Sequence, residues 1–180
     1  MFLNCHTAFS FKYGTLMPEA LVAEARRCGV AKIAVTDINN TAALIELLRI
    51  TSGAGQTPEI IAGMEFREDN RLRYVLIARN NTGFEQINRF RSRHNTTGKS
   101  LPARAPQLPE TFVIYPYGSA EPATLYDHEF IGIRPGERNR FRLSPEARDY
   151  PAKFVIQHPV TFSGDQGFEI HRLLRAMDAN

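Results

Sequence analysis

Val30-Ala31-Lys32-Ile33-Ala34-Val35-Thr36-Asp37-Ile38-Asn39-Asn40 is the stretch that decides how this chain is read. Ala31 to Val35 is a largely apolar run of strand length, and short runs of that kind bounded by polar residues form buried strands. Thr36 and Asp37 close the run, and Asn39-Asn40 follows as a cap for a next helix. Where strands alternate with helices, ligands and reacting groups sit at the polar ends of the strands. Ile38 is the anomaly. A polar ligand suits its position, and isoleucine offers nothing to a metal ion or a proton.

Outward from this stretch the same pattern recurs. Residues 2–7, 58–65, 72–78, 111–115, 129–133 and 153–157 read as further strands, which makes seven. Pro18 opens a helix at the first helical position, with Leu21, Val22, Ala25 and Cys28 as its apolar stripe and Gly29 just past its end. A second helix runs from about Thr41 to Ile50, and Asn80-Asn81-Thr82 starts a third with Phe84, Ile87 and Phe90 facing inward. Ile170, Leu173, Leu174 and Met177 mark a C-terminal amphipathic helix. Ser52 to Gly55 reads as a turn, residues 93–110 with Pro102, Pro106 and Pro109 as a long surface loop, and residues 134–142 as a connecting loop. Most strands are separated by a helix or a long connection. That alternation predicts an α/β fold with a parallel sheet, as a barrel or distorted barrel in one domain spanning 1–180.

At 43% hydrophobic and 23% charged residues the composition is that of an ordinary globular domain. No apolar run approaches the roughly 20 residues of a membrane span. The N-terminus lacks the basic and apolar regions of a secretion signal. Cys5 and Cys28 match no metal-binding or redox spacing. The expectation is a cytoplasmic protein with reduced thiols. The net charge of +3 permits nucleic-acid contact without requiring it. The most basic stretch carries Arg89, Arg91, Arg93, Lys99 and Arg104 with no acidic residue from Gln86 to Pro109. It reads either as a contact for DNA or a partner, through phosphate neutralisation, or as a solvated basic face.

In a barrel the strand ends would bring Asn4, His6, Asp37, Glu65 and His158 to one rim. Histidines and carboxylates converging there suit a divalent metal ion that activates water. The competing reading is that such residues hydrogen-bond loop backbone and cap helices. His94, His128 and His171 lie on loops and a helix surface and read as structural.

Leu3-Asn4-Cys5-His6-Thr7, Tyr13-Gly14-Thr15-Leu16-Met17-Pro18-Glu19, Ala34 to Asn40 and Ile61-Ala62-Gly63-Met64-Glu65-Phe66 together resemble the PHP (polymerase and histidinol phosphatase) domain. More narrowly they are similar to the PHP domain of bacterial DNA polymerase III alpha subunits. Tyr74 to Asn80 with Gly83-Phe84, and Ile170 to Met177, extend the resemblance. It implies a distorted seven-stranded (β/α) barrel, in agreement with the strand count.

The departures from the family pattern bear on function. The family's His-x-His is Asn4-Cys5-His6 here, and an aspartate before the following glycine falls at Tyr13. Its Thr-Asp-His is Thr36-Asp37-Ile38. Glu65 is kept. The late Asp-x-His falls at Pro159-Val160-Thr161. His6 and Glu65 are the residual candidates from a trinuclear metal cluster, fewer than the about three protein ligands of a catalytic zinc. The resemblance therefore implies a vestigial site at Asn4, His6, Asp37, Ile38, Glu65, Pro159 and Thr161, with no cofactor and no catalytic residue. It implies an N-terminal, non-catalytic structural or interaction module of a longer DNA-synthesising nucleotidyltransferase. Its partners would be the remainder of the polymerase chain, a proofreading exonuclease subunit, and DNA through the parent protein. The alternative is a metal-dependent phosphoesterase holding zinc or manganese on a reduced set: His6, Glu65, Asp37 and His158.

Overall fold

The structure is a computed structural model that describes residues 1–53 and 58–179. The expected turn at Ser52 to Gly55 falls partly outside the described residues. The seven strands are β1 (Phe2–Cys5), β2 (Lys32–Val35), β3 (Glu59–Glu68), β4 (Arg71–Ala78), β5 (Thr111–Pro116), β6 (Glu129–Ile133) and β7 (Phe154–Ile156). They form one sheet in sequence order. The helices are α1 (Pro18–Arg27), α2 (Ala43–Thr51), α3 (Asn81–Thr97), α4 (Arg138–Arg142), α5 (Pro145–Asp149) and α6 (Gly164–Ala179).

The sheet is mixed, where alternation alone predicts a parallel one. β3 pairs antiparallel with β4, and β4 antiparallel with β5; the remaining pairs are parallel. The cause is local. Asp69 and Asn70 both take positive φ, at 47° and 62°, and a two-residue turn of that kind closes a hairpin. A parallel pair needs a longer crossover. The hairpin also lengthens β3, so that Glu65 lies inside the strand and not at its end.

After β7 the chain returns to β1. Val160 N donates to Asn4 O at 2.9 Å, and His6 N donates to Val160 O at 2.8 Å. A single parallel bridge between Cys5 and Val160 thus closes the curled sheet.

Apolar side chains fill three layers. Outside β1–β3, Ile33 and Val35 pack with Leu21 and Val22 of α1 and Leu44 and Leu47 of α2. Outside β4–β6, Leu76, Val113 and Ile131 pack with Ile87 of α3. Inside the curl, Ala34, Val75, Ile77 and Ile114 meet Leu3, Ile61 and Val155. Each fully buried aliphatic side chain contributes roughly 1.5–3 kcal/mol.

Several connections differ from expectation. α3 runs on to Thr97 before Gly98 ends it in the left-handed conformation. Residues 135–142, expected as a loop, form a 3₁₀ turn and α4. Asn39, expected as a cap, has φ of 57° and clips β2 to β3. Its amide donates to Arg67 O at 2.9 Å and its side-chain oxygen accepts from Arg67 N at 3.0 Å. Asn40 does accept from Ala42 N at 3.0 Å, one residue before α2 begins.

A candidate vestigial metal centre

Period-two alternation along β3 puts Glu65 and Arg67 on one face. Both point into the curl. The Glu65 side chain is fully buried and that of Arg67 is 9% exposed. Arg67 Nε is bonded to Glu65 Oε1. The other oxygen, Oε2, accepts from Asn4 Nδ2 at 2.8 Å and from His6 Nε2 at 3.1 Å. Both oxygens of the carboxylate are thus engaged by protein groups. Burial pushes the Glu65 carboxyl up, but His6, Arg67 and Asn4 outweigh it and hold it down at about 2. The glutamate is an anion paired with an organic cation.

Asp37 is held separately. Oδ1 accepts from Thr7 N at 2.7 Å and Ser10 Oγ at 2.6 Å, and Oδ2 accepts from Thr7 Oγ1 at 2.7 Å. Ser10 Oγ also accepts from Ile38 N at 3.0 Å. Asp37 therefore pins the loop after β1 to the end of β2. Gly14 lets that loop close: a Cβ there would lie 1.9 Å from Thr7 O. Ile38 is half-buried and forms a parallel bridge with Glu65, so it does sit beside the glutamate.

Tyr13 roofs the pair. Its ring meets His6 edge-on at 5.0 Å and His171 edge-on at 5.1 Å. The guanidinium carbons of Arg67 and Arg175 lie over it at 4.3 and 5.3 Å. His171 Nδ1 donates to Tyr13 O at 2.7 Å. Contacts of this cation–π kind contribute roughly 0.5–2 kcal/mol each. They turn the polar face of α6 inward. Of the apolar stripe, Ile170, Leu173 and Met177 point outward at 44%, 62% and 56% exposure, and Leu174 is half-buried.

Pro159 and Thr161 stand in the returning segment. Thr161 O accepts from Thr15 N at 3.0 Å, so this stretch supplies backbone pairing. His158 does not join the others. It is exposed, with its ring 6.4 Å from that of Phe2. The reduced ligand set of His6, Glu65, Asp37 and His158 is not brought together.

Sequence reasoning missed Thr7, Ser10, Arg67, His171 and Arg175. A strand read as ending at Glu65 hides Arg67; the Asp69-Asn70 hairpin signal extends the strand and places Arg67 one pleat on. His171 reads as structural in the sequence, and the fold sets it against Tyr13.

The basic stretch is not one surface. Arg89 pairs with Glu85 on α3. Arg91 Nε donates to Asn39 O at 3.0 Å. Arg104 donates to Glu129 Oε2 at 2.7 Å and to Thr124 O at 2.8 Å. Arg93 and Lys99 are exposed and have no side-chain partner among the described residues. Most of these charges hold the chain to itself.

The family model for the PHP domain matches residues 3–119, more than half of the chain. The chain belongs to the PHP domain family. An error-prone DNA polymerase of Xanthomonas campestris pv. campestris (strain 8004) is 33% identical over 85 residues, 47% of this chain and 8% of that protein. One from Methylococcus capsulatus is 34% identical over 88 residues, 49% of this chain and again 8% of the relative. One from Aromatoleum aromaticum is 31% identical over 88 residues, with the same coverages of 49% and 8%. The chain thus aligns with a small part of much longer polymerases. A solved structure from Bifidobacterium adolescentis, assigned as a metal-dependent phosphoesterase, covers 99% of this chain and 83% of its own at 16% identity and a TM-score of 0.40.

A PHP domain of the metal-bearing kind needs converging ligands, and the residues here do not fit that centre. Among the described residues no group of three or more His, Cys, Asp or Glu could hold a metal ion. Asn4 Oδ1 and His6 Nδ1 are buried without a protein partner. Those two atoms fall short of the about three ligands a catalytic zinc takes. Among the described residues no helix is long and apolar enough to cross a membrane.

Proposed function

We propose that this PHP domain is a non-catalytic structural or interaction module of a DNA polymerase. The observation that carries the reading is the occupation of Glu65 by Asn4, His6 and the Arg67 guanidinium. The cation sits on the one glutamate that the family pattern retains. It neutralises that carboxylate inside the fold, as a metal ion would, but cannot activate water. Asp37 is engaged by Thr7 and Ser10 in loop closure, and Ile38 leaves no ligand between the two acids.

The polymerase context rests on the curated relatives, of which this chain matches 8%. We propose that the domain packs against the remainder of such a chain and contacts DNA only through it. Docking of a proofreading subunit belongs to the same proposal. In this reading Arg67, Tyr13 and α6 supply rigidity, not chemistry. The test is hydrolysis of bis-p-nitrophenyl phosphate by chelator-free protein with added Mn²⁺ or Zn²⁺. The expected result is no turnover above buffer. Turnover that saturates with substrate and is abolished by Glu65→Gln would overturn the reading.

A further inference from the structure

Residues 134–142, Arg-Pro-Gly-Glu-Arg-Asn-Arg-Phe-Arg, carry a second basic cluster. Arg134, Arg138 and Arg142 fall at spacings of four, and the 3₁₀ turn and α4 carry all three to one side. They line a cavity of about 670 Å³ together with apolar side chains, among them Phe141, Phe154 and Val155. No acidic side chain lines it. Of the acids on this segment, Glu137 Oε2 accepts from Arg134 N at 2.9 Å, Asp149 pairs with Arg148 at 3.0 Å, and Glu146 is exposed and does not line the cavity. Arg134 Nη2 is buried with no hydrogen-bond partner. A buried guanidinium nitrogen left unpaired costs free energy that an incoming acceptor would recover. Ile156 is 80% exposed at the rim, on a strand whose far edge carries no partner strand in the sheet among the described residues.

We infer that this cavity is a docking site for an acidic peptide segment with a large apolar anchor. Guanidiniums bind carboxylates as forks, with two parallel hydrogen bonds. The apolar floor takes the anchor side chain, the arrangement in which interface energy is concentrated. Charge complementarity selects the occupant, because three cations face one hollow with no internal counterion. A single-stranded nucleic acid is the poorer fit. It calls for a basic track with exposed aromatic faces for stacking. Phe141 and Phe154 are instead packed on each other, with ring centroids 4.7 Å apart. The inference is independent of the reading of Glu65 and Arg67.

The probe is a fluorescein-labelled synthetic peptide, a Leu-Phe pair flanked on both sides by Asp and Glu, followed by polarisation on the whole chain. The comparison probes are the same peptide with Asn and Gln as flanks, and labelled oligothymidylate. The acidic peptide is expected to bind best and to weaken about tenfold or more in Arg138→Ala/Arg142→Ala. Ile156→Ser is expected to weaken it as well. All three substitutions lie at exposed positions, so an unchanged urea midpoint shows that the fold is intact. Equal binding of the neutral peptide, indifference to the arginine substitutions, tighter binding of oligothymidylate, or no binding at all would each overturn the inference.

Discussion

Arg67 and Glu65 stand two residues apart on the inward face of β3, the guanidinium bonded to a carboxylate that is fully buried. A buried ion pair is a weak source of net stability, yet breaking one by removing a single partner is costly, because the other charge is left uncompensated. Arg67→Met should therefore destabilise the domain by roughly 3–5 kcal/mol. Adding Glu65→Gln to it should recover part of that loss. Urea unfolding of the two single variants and the double variant measures the coupling. Additive effects would mean that the pair is not coupled.

The depressed carboxyl of Glu65 fixes a pH dependence. Its value falls from the ordinary 4.5 to about 2 on folding. A carboxylate lowered on folding contributes stability that is fully present above its unfolded value and is lost as pH falls through the folded one. Unfolding free energy should decline between about pH 5 and pH 2. In Glu65→Gln that acid limb should be shallower. An unchanged slope would show that other carboxyls carry it.

Ser10 holds two partners at once, donating to Asp37 Oδ1 at 2.6 Å and accepting from Ile38 N at 3.0 Å. Ser10→Ala leaves Asp37 short of a donor inside the fold. The expected cost is about 1–3 kcal/mol, read from thermal unfolding. Added Zn²⁺ should not restore it.

The two thiols should behave differently. Cys5 is buried, and burial together with the Asp37 charge pushes its thiol up to about 12. Cys28 is exposed. A disulfide reagent should modify Cys28 quickly in the folded protein and Cys5 only after unfolding. Fast reaction of both in the native state would mean that the bridge between β1 and the Val160 segment opens readily.

Much of the fold is legible in the residues. Apolar runs such as Ile33 to Val35 and Tyr74 to Ala78 identify strands because burial on both faces demands continuity. Pro18 and Asn80 mark helix starts by local chemistry that tertiary context did not alter. The strand directions were less legible, because Asp69-Asn70 imposes an antiparallel pair within a pattern that otherwise alternates. α6 misled for another reason. Periodicity shows that it has an apolar face but not which face is covered, and the Tyr13 contacts with His171 and Arg175 decided that.

The site divides in the same way. That Asn4, Ile38, Pro159 and Thr161 stand where the family pattern has ligands is what the resemblance implies, position by position. The replacement cannot, because Arg67 matters only through its placement beside Glu65, His6 and Tyr13.

The most direct test is the metal content of the protein purified without chelators and without added metal. Elemental analysis should find zinc and manganese far below one ion per chain, and calorimetric titration with either ion should give no heat of site binding. One tightly held ion per chain, lost on Glu65→Gln, would contradict the central claim.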